Sequence, residues 1–243
     1  MKRRGGIFKV LITLALAILL AGVTVAALAI HGGISIGGIA PKKTAGKVLE
    51  LGEFNASALT VREVVGDVVV VSSNVSKIVV KSNLPLNFTL EGDILTVYCP
   101  SKRVSTGIGI SNRNLCSDYR NGTVVIEAPR SLSSFSVTGI VGDVSVEADA
   151  GAVSISDVVG DVSGTGAEGC DVSDVVGNVR LSCSGNVRVS DVIGDVSIKV
   201  PEGFTALLTA EDVLGDVRNY AGGGRGKVTV TVSDVIGDVE VEG

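Results

Sequence analysis

The sequence has no tryptophan, one histidine, one methionine and five prolines in 243 residues, and aromatic side chains make up only 3% of it. Each scarcity removes a class of chemistry. With His31 as the only imidazole, neither a histidine-based triad nor a histidine-rich metal centre can be built. Ser-x-x-Lys patterns and phosphate-binding Gly-rich loops are missing too, which removes two common marks of acyl and phosphoryl transfer. No catalytic residue is assigned, and the expectation is a protein that is not an enzyme and has no cofactor. Beyond the amino-terminal region the aromatics are Phe54, Phe88, Tyr98, Tyr119, Phe135, Phe204 and Tyr220. They follow no common period, which speaks against an aligned platform for stacking sugars.

Positive charge is scarce where most of the β pattern lies. Residues 139–243 hold 18 Asp and Glu against 6 Lys and Arg, a net of −12, whereas residues 1–138 hold 8 against 15, a net of +7. An acidic carboxyl-terminal half excludes nucleic acid as a partner, because phosphate binding needs a basic surface. It can attract cations or a basic neighbour, and it keeps a valine-rich stack soluble.

Lys2, Arg3, Arg4 and Lys9 open the chain, and the 21 residues Val10 to Ile30 then carry no charge. That run is long enough to span a bilayer as a helix, and the basic flank places the chain beyond His31 outside the cytoplasm. A cleaved signal peptide is the alternative, with Ala27-Leu28-Ala29 as the processing site. The expected localisation is therefore a single-pass membrane protein with an outer domain, or a secreted one. Four N-x-[ST] sequons at Asn55, Asn74, Asn87 and Asn121 offer glycosylation sites on that side. All four cysteines also lie beyond the apolar run, where disulfides persist. Pairing Cys99 with Cys116 would close a polar loop and contribute about 3 kcal/mol; Cys170 with Cys183 is a second candidate pair.

Valine and glycine are abundant, with 32 of the latter and 45% apolar residues, a composition suited to short β-branched strands and tight turns. A repeat organises them. Val64-Val65-Gly66-Asp67-Val68 returns around Gly142, Gly160, Gly177, Gly194, Gly215 and Gly237, and from Gly142 the spacings are 18, 17, 17, 21 and 22 residues. Gly151, Gly169 and Gly185 fall about halfway between, so each repeat divides into two short strands and two turns. Val144 and Val146 alternate with Ser145 and Glu147, and Val187 and Val189 with Arg188 and Ser190, the period of a strand with one buried face. The expected fold is all-β: a parallel β-solenoid, β-helix-like, with an N-terminal antiparallel β cap, preceded by one transmembrane helix. The expected divisions are an anchor or signal over 1–31, a linker over 32–47, a β-rich cap over 48–138 and the repeat solenoid over 139–243.

One position per repeat is acidic in register: Asp157, Asp174, Asp191, Asp212 and Asp234. A second row holds Asp143, Asp161, Asp195, Asp216 and Asp238, with Asn178 in place of one member. Stacked like charges repel unless solvated, hydrogen-bonded or bridged by a cation. These rows therefore either accept backbone N–H bonds at turns, or the first of them ligates Ca²⁺ through oxygen. The calcium β-roll signature itself is missing.

Val64-Val65-Gly66-Asp67-Val68, Ile78-Val79-Val80, Glu91-Gly92-Asp93-Ile94-Leu95-Thr96-Val97, Val124-Val125-Ile126-Glu127-Ala128-Pro129, the later Gly-Asp-Val repeats and Gly226-Lys227-Val228-Thr229-Val230 occur in that order. In this the chain, over about residues 48 to 243, resembles the adhesin-like family of extracytoplasmic β-solenoid domains of unknown function. The resemblance implies a surface or envelope location and no catalytic residues. It departs from the family in carrying Val, Ile or Leu, rather than Ser or Asn, before the repeat glycine. The functional expectation is a non-catalytic, adhesin-like structural or interaction module, self-associating or part of an envelope. The final strand, Val239 to Val241, is expected at an uncovered edge open to β-augmentation. Two alternatives stand beside this: a membrane-anchored sensor or accessory domain for a basic or sugar partner, and a polysaccharide-active β-helix enzyme.

Overall fold

The structure is a computed structural model that describes residues 42–106, 109–149 and 151–243. The expected membrane segment, Val10 to Ile30, and His31 lie outside the described residues. Among the described residues no helix is long and apolar enough to cross a membrane, and the helical content is one 3₁₀ turn, Leu115–Asp118.

Alternating valines make strands, and Gly-Asp pairs turn the chain from one sheet to the other. From Ser134 onward it passes repeatedly between a 10-stranded and a 9-stranded sheet. Ala152–Val159 lies in the second sheet and Val162–Gly166 in the first; Gly169–Val176 returns to the second and Val179–Cys183 to the first. Neighbouring passes pair parallel and in register, Val158 on Val175 on Val192 and Val162 on Val179 on Val196. Identical side chains therefore stack at about 4.8 Å. Val158, Val162, Val175, Val179, Val192 and Val196 are all essentially buried between the two sheets, and full burial of such side chains contributes about 1.5–3 kcal/mol each.

Residues before Ser134 belong to the same two sheets. Ala58–Arg62 pairs parallel with Ser134–Val141, and Asp67–Ser73 pairs parallel with Val144–Glu147. Ser134–Val141 runs through residue 138 without a break. Antiparallel pairing is confined to the outer strands: Leu49–Phe54 and Thr123–Pro129 each on Ile78–Ser82, Asn87–Glu91 on Ile94–Tyr98, and the hairpin Ser101–Thr106 with Gly109–Asn114. The Cys99–Cys116 disulfide closes the base of that hairpin. Cys170–Cys183 joins the two sheets through the interior.

At both ends the spatial order of passes departs from chain order. Gly226–Ile236 and Val239–Glu242 insert between the 186–199 pass and the 204–219 pass. The expected uncovered edge at Val239–Val241 is thus wrong: Val239 and Val241 are buried, and the outermost strands are Phe204–Leu214 and Val217–Asn219. The reason is readable in the interior positions. Val241 stands in register with Asn219, and a polar amide is tolerated where the interior opens to water. At the other end, Ala58–Arg62 is covered by the later strand Ile94–Tyr98. All of this pairing and the core lie within Lys42–Gly243, which carries the interactions it needs to fold by itself.

Two backbone features recur in every pass. The corner glycine stacks directly on the next: a Cβ on Gly177, at φ +150°, would sit 2.1 Å from the carbonyl oxygen of Gly160, so no side chain fits. Three residues earlier the strand bends through a left-handed residue, with φ between 51° and 54° at Asp157, Asp174, Asp191, Asp212 and Asp234, a conformation that Asp tolerates better than most residues. Glu63 and Gly139 occupy the same place in the first passes. Gly177→Ala is expected to lower unfolding free energy by at least about 3 kcal/mol, and Asp174→Gly to change it by less than about 1 kcal/mol. Denaturant titration measures both, and a tolerated alanine at 177 would contradict the stacked-glycine corner.

Candidate functional site

The bend and the corner between them build one face on which successive passes show outward residues at the same three positions, with Gly139 and Asn178 as the two departures from carboxylate. In Asp157-Val158-Val159-Gly160-Asp161, Val158 is buried while Asp157, Val159 and Asp161 are exposed. Because the register holds from pass to pass, the triplet becomes three parallel files: carboxylate, aliphatic, carboxylate.

The second acidic file has a structural job. Asp143 Oδ1 accepts from the Asp161 backbone N–H at 2.9 Å, Asp161 Oδ1 from Asn178 N–H at 2.8 Å, and Asn178 Oδ1 from Asp195 N–H at 3.1 Å. The chain of bonds begins at Asp67 and ends with Asp216 N–H donating to Asp238 Oδ1 at 2.9 Å. Each side chain satisfies a corner amide that faces outward beyond the sheet ladder. Asn178 keeps the acceptor and removes one charge from the row. Arg180 approaches Asp161 to 4.0 Å and Arg218 approaches Asp216 to 2.7 Å, exposed pairs that each contribute little.

The first file, at the bend, is different. Asp157 accepts from Thr138 Oγ1 at 3.3 Å, yet among the described residues none of Asp157, Asp174, Asp191, Asp212 and Asp234 makes an ion pair. These are the positions considered for Ca²⁺. The structure aligns them in single file, and among the described residues no three His, Cys, Asp or Glu side chains converge into a metal-binding set.

Between the acidic files runs the aliphatic one, which a reading of the sequence as turn chemistry alone misses. Val141, Val159, Val176, Ile193, Ile236 and Leu214 are each 50–57% exposed. The signal was available, since in Val-Val-Gly-Asp-Val strict alternation sends the first valine inward and the second out.

Other expected positions are dispersed. Asn55, Asn74, Asn87 and Asn121 are all exposed, so their amides are open to modification. A depression of about 470 Å³ on the outer side of the second sheet is lined by Ser154, Asp171, Arg188 and Thr231 among others, with no aromatic ring. Phe54 and Phe88 meet at 5.0 Å at the far end of the sheets, Phe135 is buried, and Tyr220 is exposed.

The hydrogen-bonded file yields a direct test. Asp161→Ala is expected to lower stability by about 1 kcal/mol by removing the acceptor for the Asn178 amide. Asp161→Asn is expected to lose nothing, since Asn178 already fills this role one pass along. Equal losses in the two variants, measured by thermal or denaturant unfolding, would assign the effect to charge instead.

No known family's sequence profile matches this chain, and no curated protein matches it either. Solved structures are similar to it. A candidate cell adhesion protein from Clostridium sporogenes is 14% identical, with a TM-score of 0.44 over 81% of this chain and 96% of its own. A candidate adhesin from Bacteroides fragilis is 15% identical, with a TM-score of 0.35 over 84% of this chain and 100% of its own. A candidate lipid-binding protein from Parabacteroides distasonis is 14% identical, with a TM-score of 0.34 over 81% and 96%. Likeness of this degree assigns neither a family nor a ligand to this chain.

Proposed function

We propose that this chain is a non-catalytic, extracytoplasmic β-solenoid, tethered to the cell membrane through Val10 to Ile30, which acts as an interaction module and joins a second copy end to end. The observation that carries the reading is the uncovered terminal pass. Val217, in register with buried Val239, is 42% exposed, and Ala210, in register with buried Val232, is exposed as well. Phe204–Leu214 and Val217–Asn219 each have one unpaired strand edge. Bare terminal passes of stacked repeats expose core and edge together and need a cover.

The opposite end differs in finishing with the antiparallel strands Leu49–Phe54 and Asn87–Glu91, between which the Phe54–Phe88 ring pair packs. Open end on open end, about a two-fold axis, therefore covers both exposed passes at once. The two Phe204–Leu214 strands would then run antiparallel and satisfy each other's edge groups. The in-register parallel pairing supports the solenoid reading. Two disulfides, one in each half of the described chain, support a location outside the reducing cytosol.

Sedimentation of Lys42–Gly243 over a concentration series, with Ca²⁺ and then with chelator, tests this. The expected result is a concentration-dependent dimer in both conditions, abolished by Val217→Lys, whose exposed side chain can change without disturbing the core. A monomer at every concentration would remove end-to-end pairing. A dimer lost only with chelator would place the joint on the carboxylate files.

A further inference from the structure

The face of three files, which runs along the passes from Val141 to Leu214, carries an inference that does not depend on end-to-end pairing. The aliphatic file is unbroken: Val141 pairs with Val159, Val159 with Val176, Val176 with Ile193, Ile193 with Ile236, and Ile236 with Leu214. Five intervals of about 4.8 Å make a stripe roughly 24 Å long. The fold does not require it, because these side chains face water and a threonine would serve the strand equally well. A contiguous apolar stripe bordered by charge is the form of an interaction surface rather than of scattered exposure.

Its flanks select the occupant. Carboxylates stand on both sides, two residues away along the strand, or about 6.6 Å, except where Gly139 flanks Val141 and Asn178 flanks Val176. On the Asp174 side they have no cationic partner among the described residues. A second copy presenting the same face would set acidic files against acidic files, and an anionic lipid surface would be repelled in the same way. A partner with an apolar stripe and cationic groups on both borders meets every requirement. The spacing adds a conformation. An α-helix returns a side chain to one face every 5.4 Å or so, close to the 4.8 Å step of the file, and about 16 residues at 1.5 Å each cover its length. An extended strand, repeating every 6.6 Å or so on one face, falls out of step.

We propose that this face docks a basic amphipathic helix, with its apolar residues along the Val159–Val176–Ile193 file and its lysines or arginines over the two Asp files. Steering by the acidic flanks makes the association salt-sensitive.

The test uses Lys42–Gly243 and three labelled 18-residue peptides, read by fluorescence anisotropy. One carries leucine at i, i+3, i+4 spacing with lysine elsewhere; one has the same leucines with glutamate; one keeps the lysines and replaces leucine by serine. The Leu/Lys peptide is expected to bind at least about tenfold more tightly than either control. Val159→Ser/Val176→Ser/Ile193→Ser and Asp174→Asn/Asp191→Asn should each weaken it by about tenfold, with unfolding midpoints showing that both variants are folded. Val217→Lys should bind as the parent does, which keeps this result separate from end-to-end pairing. The proposal is overturned if the Lys/Ser peptide binds equally well, since charge alone would then account for it. It is also overturned if the triple serine variant keeps its affinity, or if no peptide binds while anionic vesicles do.

Discussion

Successive passes of this chain are held parallel, in register and one β spacing apart, and most of its other features depend on that constraint. Register means that any residue type placed at one point of the repeat is placed beside its own kind in the next pass. For valine facing inward the result is a continuous apolar ladder. For glycine at the corner it is a contact so close that Gly177 and Gly160 leave no space for a Cβ. For aspartate it is a row of like charges that must find hydrogen bonds, water or a partner.

The molecule resolves its two acidic rows in different ways. At the corner each carboxylate takes the next pass's amide, and the row becomes part of the hydrogen-bond framework, with Asn178 showing that the acceptor rather than the charge is what the backbone uses. At the bend the aspartates adopt a left-handed conformation that few other side chains tolerate, and their carboxylates remain turned to solvent. The charge left on that side, together with the aliphatic file beside it, gives the surface a chemical polarity that repeats at every pass. Repetition sets the same groups along a line, one β spacing apart.

Much of this was legible in the residues. Seven Gly-centred motifs, the alternation of Val144 and Val146 with polar neighbours, and the half-repeat glycines fix two strands and two turns per pass, because side-chain direction alternates and glycine alone fits the corner. The roles of the corner aspartates were accessible as turn chemistry. The exposed file of Val159 and its equivalents was accessible too, from the doubled valine, but only once that doubling is read as one residue in and one out rather than as a longer core.

Which passes lie side by side could not be read. Asp212-Val213-Leu214-Gly215-Asp216 and Asp234-Val235-Ile236-Gly237-Asp238 offer almost the same edge to the 186–199 pass, and local pattern does not choose between them. Tertiary packing does: Val228, Val230, Val232, Val239 and Val241 fill the interior completely, whereas Phe204–Asn219 brings Asn219 to an interior position, so the later segment is buried and the earlier one is left at the end. The sequence by itself determined the strands, the corners and the face each residue takes, since these depend on neighbours along the chain. The order of the passes, and with it the location of the open end, was decided only by tertiary structure, since it depends on which of two similar edges buries its interior side chains without stranding a polar one.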